Sequence, residues 1–178
     1  MESFDHKIGL VLPGGGARGA YQVGVLKAIS DIQGRSEKSP FDVISGTSAG
    51  AINASMITSE INNFHQSIFK LENLWGGFKT NQIYRTETLF MLKQSLHWLL
   101  TLISGGLLTQ NPRFLLDNQP LRDLLKETIN FESINHNIYS GTLDALIITA
   151  ASYEGKESVS FFTTSTEVEN WKKVGRSG

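Results

Sequence analysis

Two glycine-rich turns, each directly after a short apolar run, constrain this chain more than any other feature. The first run, Ile8–Leu12, ends in a proline and three glycines, Gly14–Gly16. Such a run is typical of a strand that is buried on both faces in a parallel sheet. The second run, Phe41–Ile44, leads through Gly46–Gly50 into a stretch of small residues, Ala51–Thr58. Two strand–turn–helix units in succession predict a parallel, right-handed α/β arrangement.

The pattern after these turns extends the α/β prediction. A helix that ends near Gly34 is predicted from one apolar set at helical spacing: Tyr21, Val25, Ala28, Ile29 and Ile32. Further helices are predicted over Asn62–Trp75, over Leu89–Leu102, and from Pro120 with Asp117 or Asn118 as the cap. Later strands are predicted over Asp144–Ala151 and Val159–Thr163, separated by the turn Glu154–Lys156.

The bulk composition limits the possible functions. The 178 residues contain no repeat and no Pro/Gly/Ser-rich linker, so we expect one domain over residues 1–178. A net charge of -1 gives no electrostatic case for binding nucleic acid. Cysteine is missing, and the four histidines have no metal-ligand spacing, so we expect no metal site.

Ser48 is the candidate nucleophile. The segment Gly46–Gly50 reads Gly-Thr-Ser-Ala-Gly, which matches the G-x-S-x-G pattern at a predicted strand-to-helix junction. A sharp turn there lifts the serine hydroxyl above the edge of the sheet, and the flanking glycines, Gly46 and Gly50, remove side chains that would collide. The alternative interpretation is an ordinary tight turn between a strand and a helix.

The first glycine turn is a candidate oxyanion hole. Gly14, Gly15 and Gly16 follow a strand and precede a helix, so their amide N–H groups can point at a developing negative charge. The run Gly14–Gly19 also satisfies G-x-G-x-x-G, the fingerprint of dinucleotide-binding Rossmann domains. That alternative needs an acidic residue at the end of the second strand, whereas Asp42 stands at its start.

Taken together, the two turns resemble the patatin-like phospholipase family. The similarity is strong over roughly the first 60 residues and extends through Gly19–Leu26 and Ala49–Ala54. It implies a three-layer α/β/α fold with a mainly parallel sheet, and hydrolysis of lipid esters by a Ser-Asp dyad without a cofactor. Carried over by position, Ser48 is the nucleophile and Gly14–Gly16 form the oxyanion hole. Arg18, Gly19, Gly46 and Gly50 support the two turns.

The second member of that dyad is not identifiable. The family carries it as an aspartate followed by glycine, and no Asp-Gly pair occurs in this sequence. Asp117, Asp123 and Asp144 are the aspartates after Ser48, and each is better explained as a helix cap, a helix surface charge or a strand-entry residue. A serine without a base is a weak nucleophile. We therefore expect the fold to be incomplete at its C-terminus, and the alternative is a catalytically inactive lipid-binding relative.

Two further interpretations concern other residues. His136, with Asp117 or Asp123, gives the chain order of an α/β-hydrolase triad, but that fold places several strands before its nucleophile. The apolar stretch Leu89–Leu108 contains Lys93 and His97, so it favours a core or interfacial helix over a membrane span. No secretory signal is evident at the N-terminus. We expect a cytoplasmic or peripheral membrane protein whose partner is a phospholipid or other lipid ester; the oligomeric state is not predicted.

Overall fold

The computed structural model describes residues 6–34, 38–77, 119–152 and 157–165. The chain divides into two compact units, Met1–Trp75 together with Ile129–Gly178, and Gly76–Thr128. The first unit contains both glycine turns and all four strands of the described sheet. The prediction of one domain stays a prediction.

The first unit is built on an open sheet in the order β1-β2-β3-β4, formed by Gly9–Leu12, Val43–Thr47, Ala145–Ala151 and Ser158–Thr164. The first three strands run parallel, with Leu12 opposite Gly46 and Thr47 opposite Thr149. The fourth strand is antiparallel to the third. The predicted α/β class with a mainly parallel sheet is confirmed.

Helices connect the parallel strands of this unit. The helix α1 (Arg18–Gln33) links β1 to β2, and its end is marked by Gly34 with a φ of 72°. After β2 come α2 (Ala49–Ser59) and α3 (Phe64–Gly77), and α5 (Phe131–Tyr139) precedes β3. The helix α5 was not predicted; it begins at Asn130, whose side chain accepts a hydrogen bond from Ser133 N–H at 3.1 Å.

The buried core joins the centre of the sheet to α2, α3 and α5. Helix α2 packs against β1, β2 and β3 as well as against α1 and α5, and it is the central helix of the described unit. The largest fully buried apolar side chains come from these elements, from α1 and from their connections: Leu26, Ile44, Met56, Ile57, Ile61, Phe64, Ile68, Leu71, Ile138 and Leu143.

The predicted apolar face of α1 is not its buried face. Tyr21 and Ile32 are 78% and 86% exposed, whereas the buried positions of the helix are Gly19, Val23, Leu26 and Ser30. The helix carries apolar residues on two sides, so periodicity alone does not select one of them. The buried side includes two small residues, which allow neighbouring elements to approach the helix closely.

The expectation that β1 is buried on both faces is also wrong. The strand lies at the edge of the described sheet, and Val11 is 74% exposed. The apolar residues of this strand reflect β-propensity, and Leu12 is the one residue of the strand that is buried.

The second unit is described only over Gly76–Gly77 and Gln119–Thr128, the latter forming α4. The predicted helix after Pro120 is therefore present, and it starts one residue earlier. Its proposed caps Asp117 and Asn118, the apolar stretch Leu89–Leu108 and the turn at residues 154–156 lie outside the described residues. Among the described helices, none combines the length and the apolar character that crossing a membrane requires.

Candidate active site

Ser48 forms the whole connection between β2 and α2. The strand ends at Thr47 and the helix begins at Ala49, so the chain reverses its course at this single exposed residue. Ser48 has φ 53° and ψ -119°, and it is the one non-glycine residue with a positive φ in the described part of the chain. Residues held in such sparsely populated regions typically cost 1–3 kcal/mol, and they cluster at functional sites.

Gly46 and Gly50 allow this turn to close against the neighbouring strand. A Cβ on Gly50 would lie 2.6 Å from the carbonyl carbon of Leu12 and overlap its oxygen. A Cβ on Gly46 would lie 2.7 Å from the Cα of Ala51. Because the clashing atoms are backbone, no rotamer change relieves them. Gly50 therefore lets the first turn of α2 press against the end of β1, and Gly46 lets it press against β2.

The first glycine turn lies directly beside Ser48 as a result. A Cβ on Gly14 would be 3.3 Å from Ser48 Cβ and 3.4 Å from the carbonyl oxygen of Thr47. The turn then closes onto α1, since Arg18 N–H donates to the Gly15 carbonyl at 3.1 Å and Gly19 N–H donates to the Gly16 carbonyl at 2.9 Å. Gly16 adopts φ 55°, which favours glycine. The structure thus brings the two predicted motifs together at the carboxyl edge of the sheet.

The amide groups of this turn are available to a ligand. Within the described ranges, no residue accepts a hydrogen bond from the N–H of Gly15 or Gly16, and both residues are exposed. Arg18 is exposed as well, and its side chain flanks Gly15, with its Cδ 3.0 Å from the place of a Cβ there. The two amides precede the first turn of α1, where the helix dipole favours negative charge.

The family comparison is decisive for the class of protein. The family model described as "Patatin-like phospholipase" matches residues 10–173, which is most of the chain and includes both turns. The chain belongs to the patatin-like phospholipase family. No solved structure matches it.

Curated relatives of this patatin-like chain match over a shorter segment. The chain is 51% identical over 49 residues to Lysophospholipase nte1 of Aspergillus terreus, and 46% identical over 57 residues to Neuropathy target esterase sws of Drosophila persimilis. It is 56% identical over 45 residues to the patatin-like phospholipase domain-containing protein ZK370.4 of Caenorhabditis elegans. These segments cover 25–32% of this chain and 3–4% of the relatives' own length.

The three described aspartates of the first unit, Asp31, Asp42 and Asp144, do not supply a base to Ser48. Asp31 lies near the end of α1, thirteen residues or about 20 Å of helix beyond Arg18. Asp144 precedes β3 and forms an ion pair with Lys7, while Asp42 precedes β2 and accepts a hydrogen bond from Ile8 N–H at 2.7 Å. Both lie at the amino edge of the sheet. Ser48 lies at the carboxyl edge, six residues beyond Asp42, or about 20 Å along an extended strand. These two carboxylates therefore stabilise the strand starts instead of activating the serine.

None of the remaining predicted partners is a described residue of the first unit beside Ser48. Asp123 belongs to the second unit, where its carboxylate accepts from Gln119 Nε2 at 2.8 Å, and Asp117 lies outside the described residues. His136 precedes Asn137, which donates to the Thr58 carbonyl at the far end of α2. That carbonyl is ten residues, or about 15 Å of helix, beyond Ser48. The structure therefore does not favour the α/β-hydrolase triad through His136.

The dinucleotide interpretation is not favoured either. The residues that end β2 are Ser45, Gly46 and Thr47, so no carboxylate follows the strand where a ribose would need one. Asp42 lies at the opposite end of β2, at the amino edge of the sheet, where it accepts a hydrogen bond from Ile8 N–H. The glycine turn instead lies against Ser48.

Sequence reasoning missed three polar residues that pack behind the glycine turn: Gln22 on α1, Asn53 on α2 and Trp75 on α3. They are joined by hydrogen bonds to each other and to the backbone around the turn. No local motif marks them, because each belongs to a different helix and each residue type is common on a helix. An asparagine within a segment as apolar as α2 is the one signal in the sequence, and the structure buries that residue completely.

Proposed function

We propose that this chain is the nucleophile-bearing part of a lipid acyl hydrolase, of the phospholipase A type, with Ser48 as its nucleophile. The observation that carries the proposal is the contact between the two turns: the backbone of Gly14 lies against Ser48, on the strained junction between β2 and α2. Family membership and the names of the lysophospholipase and esterase relatives support a hydrolase that acts on lipid esters.

In the proposed reaction, Ser48 Oγ loses its proton to a general base and attacks the ester carbonyl carbon. The carbonyl oxygen becomes an oxyanion, which accepts hydrogen bonds from N–H groups of Gly14–Gly16. Collapse of this intermediate breaks the ester C–O bond, and the alcohol leaves with the proton that the base returns. Water then hydrolyses the acyl-serine, releasing the fatty acid and restoring Ser48.

The base is proposed to be an aspartate, in a Ser-Asp dyad. Asp42 and Asp144 lie at the amino edge of the sheet, and Asp31 lies near the far end of α1, so none of the three can fill this role. The proposal therefore places the base outside the described part of the first unit. Peripheral contact with a membrane is part of the same proposal, since a phospholipid substrate is reached at a lipid surface.

The test is the pair Ser48→Ala and Ser55→Ala. Ser55 is a half-buried serine on α2, seven residues beyond the proposed nucleophile, and it serves as the matched control. The protein is incubated with phosphatidylcholine vesicles and with lysophosphatidylcholine, and released fatty acid is measured. We expect Ser48→Ala to lower the rate by about a thousandfold or more, and Ser55→Ala to keep it within about twofold.

A fluorophosphonate probe gives a second measurement on the same variants. The probe should label the parent protein and Ser55→Ala on the peptide that contains Ser48, and it should leave Ser48→Ala unlabelled. Lipid hydrolysis that persists in Ser48→Ala would remove this serine from the mechanism. Labelling of Ser48 without fatty-acid release from either lipid would overturn the proposed substrate class.

A further inference from the structure

Asn53 is the centre of a polar connection behind the proposed oxyanion turn. It lies on α2, five residues after Ser48, and it is completely buried. Its Nδ2 donates to the Gly19 carbonyl at 3.1 Å and to Gln22 Oε1 at 2.9 Å, and its Oδ1 accepts from Trp75 Nε1 at 2.7 Å. Three of the four hydrogen-bonding positions of this amide are therefore filled by protein groups.

The connection continues from Gln22 to the backbone of the glycine turn. Gln22 Nε2 donates to the Pro13 carbonyl at 2.7 Å. Pro13 is the residue before Gly14, and Gly19 is the third residue after Gly16. Hydrogen bonds that originate at Asn53 and Gln22 thus hold the chain on both sides of Gly14–Gly16.

The direction of this connection is fixed by its two ends. An indole N–H can only donate, so the oxygen of the Asn53 amide must face Trp75 and its nitrogen must face α1. A backbone carbonyl can only accept, so the nitrogen of the Gln22 amide must face Pro13 and its oxygen must face Asn53. Neither amide can flip without placing two acceptors or two donors against each other.

Gly19 is the residue that makes the connection possible. A Cβ at this position would overlap the indole ring of Trp75, with 2.5 Å to its Cη2. The bare backbone lets the ring lie against the first turn of α1 and reach Asn53 with its N–H. This contact gives Gly19 a specific role in the turn, one that the sequence motif alone does not reveal.

We propose that Trp75, Asn53 and Gln22 form a one-directional hydrogen-bond relay that positions the oxyanion turn relative to Ser48. The peptide unit between Pro13 and Gly14 is planar, so a hydrogen bond to the Pro13 carbonyl also fixes the direction of the Gly14 N–H. The same relay ties α2, which begins directly after Ser48, to α1, which begins directly after the turn. The inference rests on the proposed function, because it assigns this turn to catalysis.

The decisive variant is Gln22→Met, which keeps the length of the side chain and removes its donor. Gln33→Met is its matched control. Gln33 is also on α1, also half-buried, and also donates its Nε2 to a backbone carbonyl, that of Lys38 at 2.9 Å. It lies eleven residues from Gln22, or about 16 Å along the helix. Methionine introduces no charge, so an electrostatic effect on the oxyanion does not obscure the result.

Kinetics with a soluble p-nitrophenyl butyrate ester provide the first readout. We expect Gln22→Met to lower kcat by about tenfold with KM within about threefold, since small misplacement of catalytic groups reduces turnover without weakening ground-state binding. Trp75→Phe keeps an aromatic ring over Gly19 but removes the donor, and it should lower kcat in the same direction. Gln33→Met should keep kcat within about twofold.

The Gly14 amide resonance in a ¹⁵N–¹H NMR spectrum provides the second readout. It should shift in Gln22→Met and stay in place in Gln33→Met, because only Gln22 is bonded to the peptide unit that contains this amide. A stability loss alone would affect both variants. Equal kcat losses in the two methionine variants, or a parental kcat in Gln22→Met, would overturn the positioning role. A parental kcat in Trp75→Phe would overturn the relay as a connected unit.

The parent protein and Ser48→Ala are assayed with the same ester before any relay variant is compared. Loss of hydrolysis in Ser48→Ala establishes the reaction on which the inference rests. If the parent shows no Ser48-dependent hydrolysis, the proposed function fails, and the positioning role fails with it. If that hydrolysis is present and Gln22→Met retains it in full, the relay alone is wrong.

Discussion

The two strand-to-helix junctions at the carboxyl edge of the sheet solve the same geometric problem in different ways. The β1–α1 junction takes five residues, Pro13–Ala17, and its positive φ angles fall on glycines. The β2–α2 junction takes one residue, Ser48, which adopts a positive φ in spite of its side chain. The first junction offers backbone N–H groups, and the second offers a hydroxyl. In the described residues, the one non-glycine residue with a positive φ is thus Ser48, whose side chain is proposed to react.

The junctions also depend on each other. The Leu12 and Pro13 carbonyls occupy the space that a Cβ on Gly50 would need. The β2–α2 junction therefore packs directly against the backbone at the start of the β1–α1 junction. Gly14 in turn faces Ser48 and Thr47. A substitution at either contact should therefore affect both junctions, whereas a substitution on an exposed surface of α1 should affect neither.

The largest expected effect is that of Gly50→Ala on stability. The new Cβ would meet backbone atoms that cannot rotate away, so the end of β1 and the start of α2 must separate. We expect a loss of about 3 kcal/mol or more in the free energy of unfolding, measured by urea denaturation. Ser48-dependent hydrolysis should fall together with it.

Gly24→Ala is the control for this measurement. Gly24 lies inside α1, and a Cβ there meets no atom within 4 Å. Replacing a helical glycine by alanine should stabilise the protein by about 1 kcal/mol and leave hydrolysis unchanged. If Gly50→Ala were as stable as the parent, the two junctions would not be in the close contact described.

The next effect in size is that of Gly15→Ala on turnover. The atoms nearest to a Cβ here belong to the side chain of Arg18, with Cδ at 3.0 Å, and this exposed side chain can move. The φ of 158° at Gly15 strains an alanine, but the strain falls on an exposed turn. The fold should therefore persist. A methyl group beside the proposed oxyanion N–H groups should lower kcat by roughly a hundredfold, as for other lost oxyanion donors.

Lipid binding separates the possible outcomes for Gly15→Ala. We expect sedimentation with phosphatidylcholine vesicles to depend on surfaces remote from the turn, so binding should stay within about threefold of the parent. Near-parental turnover with an intact fold would mean that the glycine run is only a turn. Parallel loss of vesicle binding and turnover would point to a changed surface and would equally contradict the oxyanion role.

The two junctions were predictable from sequence because their signals are local. A strand that ends in glycines, or in Gly-x-Ser-x-Gly, predicts a tight turn from its own residues. The positions of Gly14–Gly16 and Ser48 in such turns follow from these patterns. The family resemblance added the expectation that the two turns meet. The start of β2 was placed two residues too early, because Phe41 is apolar but precedes the ladder that begins at Val43.

The features that sequence did not predict depend on contacts between distant elements. The buried side of α1 is selected by its packing neighbours, and Gly19 and Ser30 were not recognisable as interface positions beside the more apolar Tyr21 and Ile32. The relay joins residues from three helices whose spacing in the chain carries no period. Local patterns thus identified the groups that are proposed to react. The residues that position them are brought together by tertiary packing and were not predicted.

The smallest expected effect tests the strain at Ser48 directly, by comparing Ser48→Gly with Ser48→Ala. Both variants lack the hydroxyl and should be inactive, so the comparison isolates the backbone. The Ser48 side chain makes no capping hydrogen bond to α2, so its removal costs the helix nothing. Glycine adopts φ 53° without the steric penalty of a Cβ, whereas alanine keeps that penalty. Glycine also raises the entropy of the unfolded chain, which offsets part of this gain. We therefore expect Ser48→Gly to be more stable than Ser48→Ala by about 1 kcal/mol, measured by urea denaturation. If Ser48→Ala proved equally stable or more stable, the second junction would carry no backbone strain, and the difference between the two junctions would lie in their side chains alone.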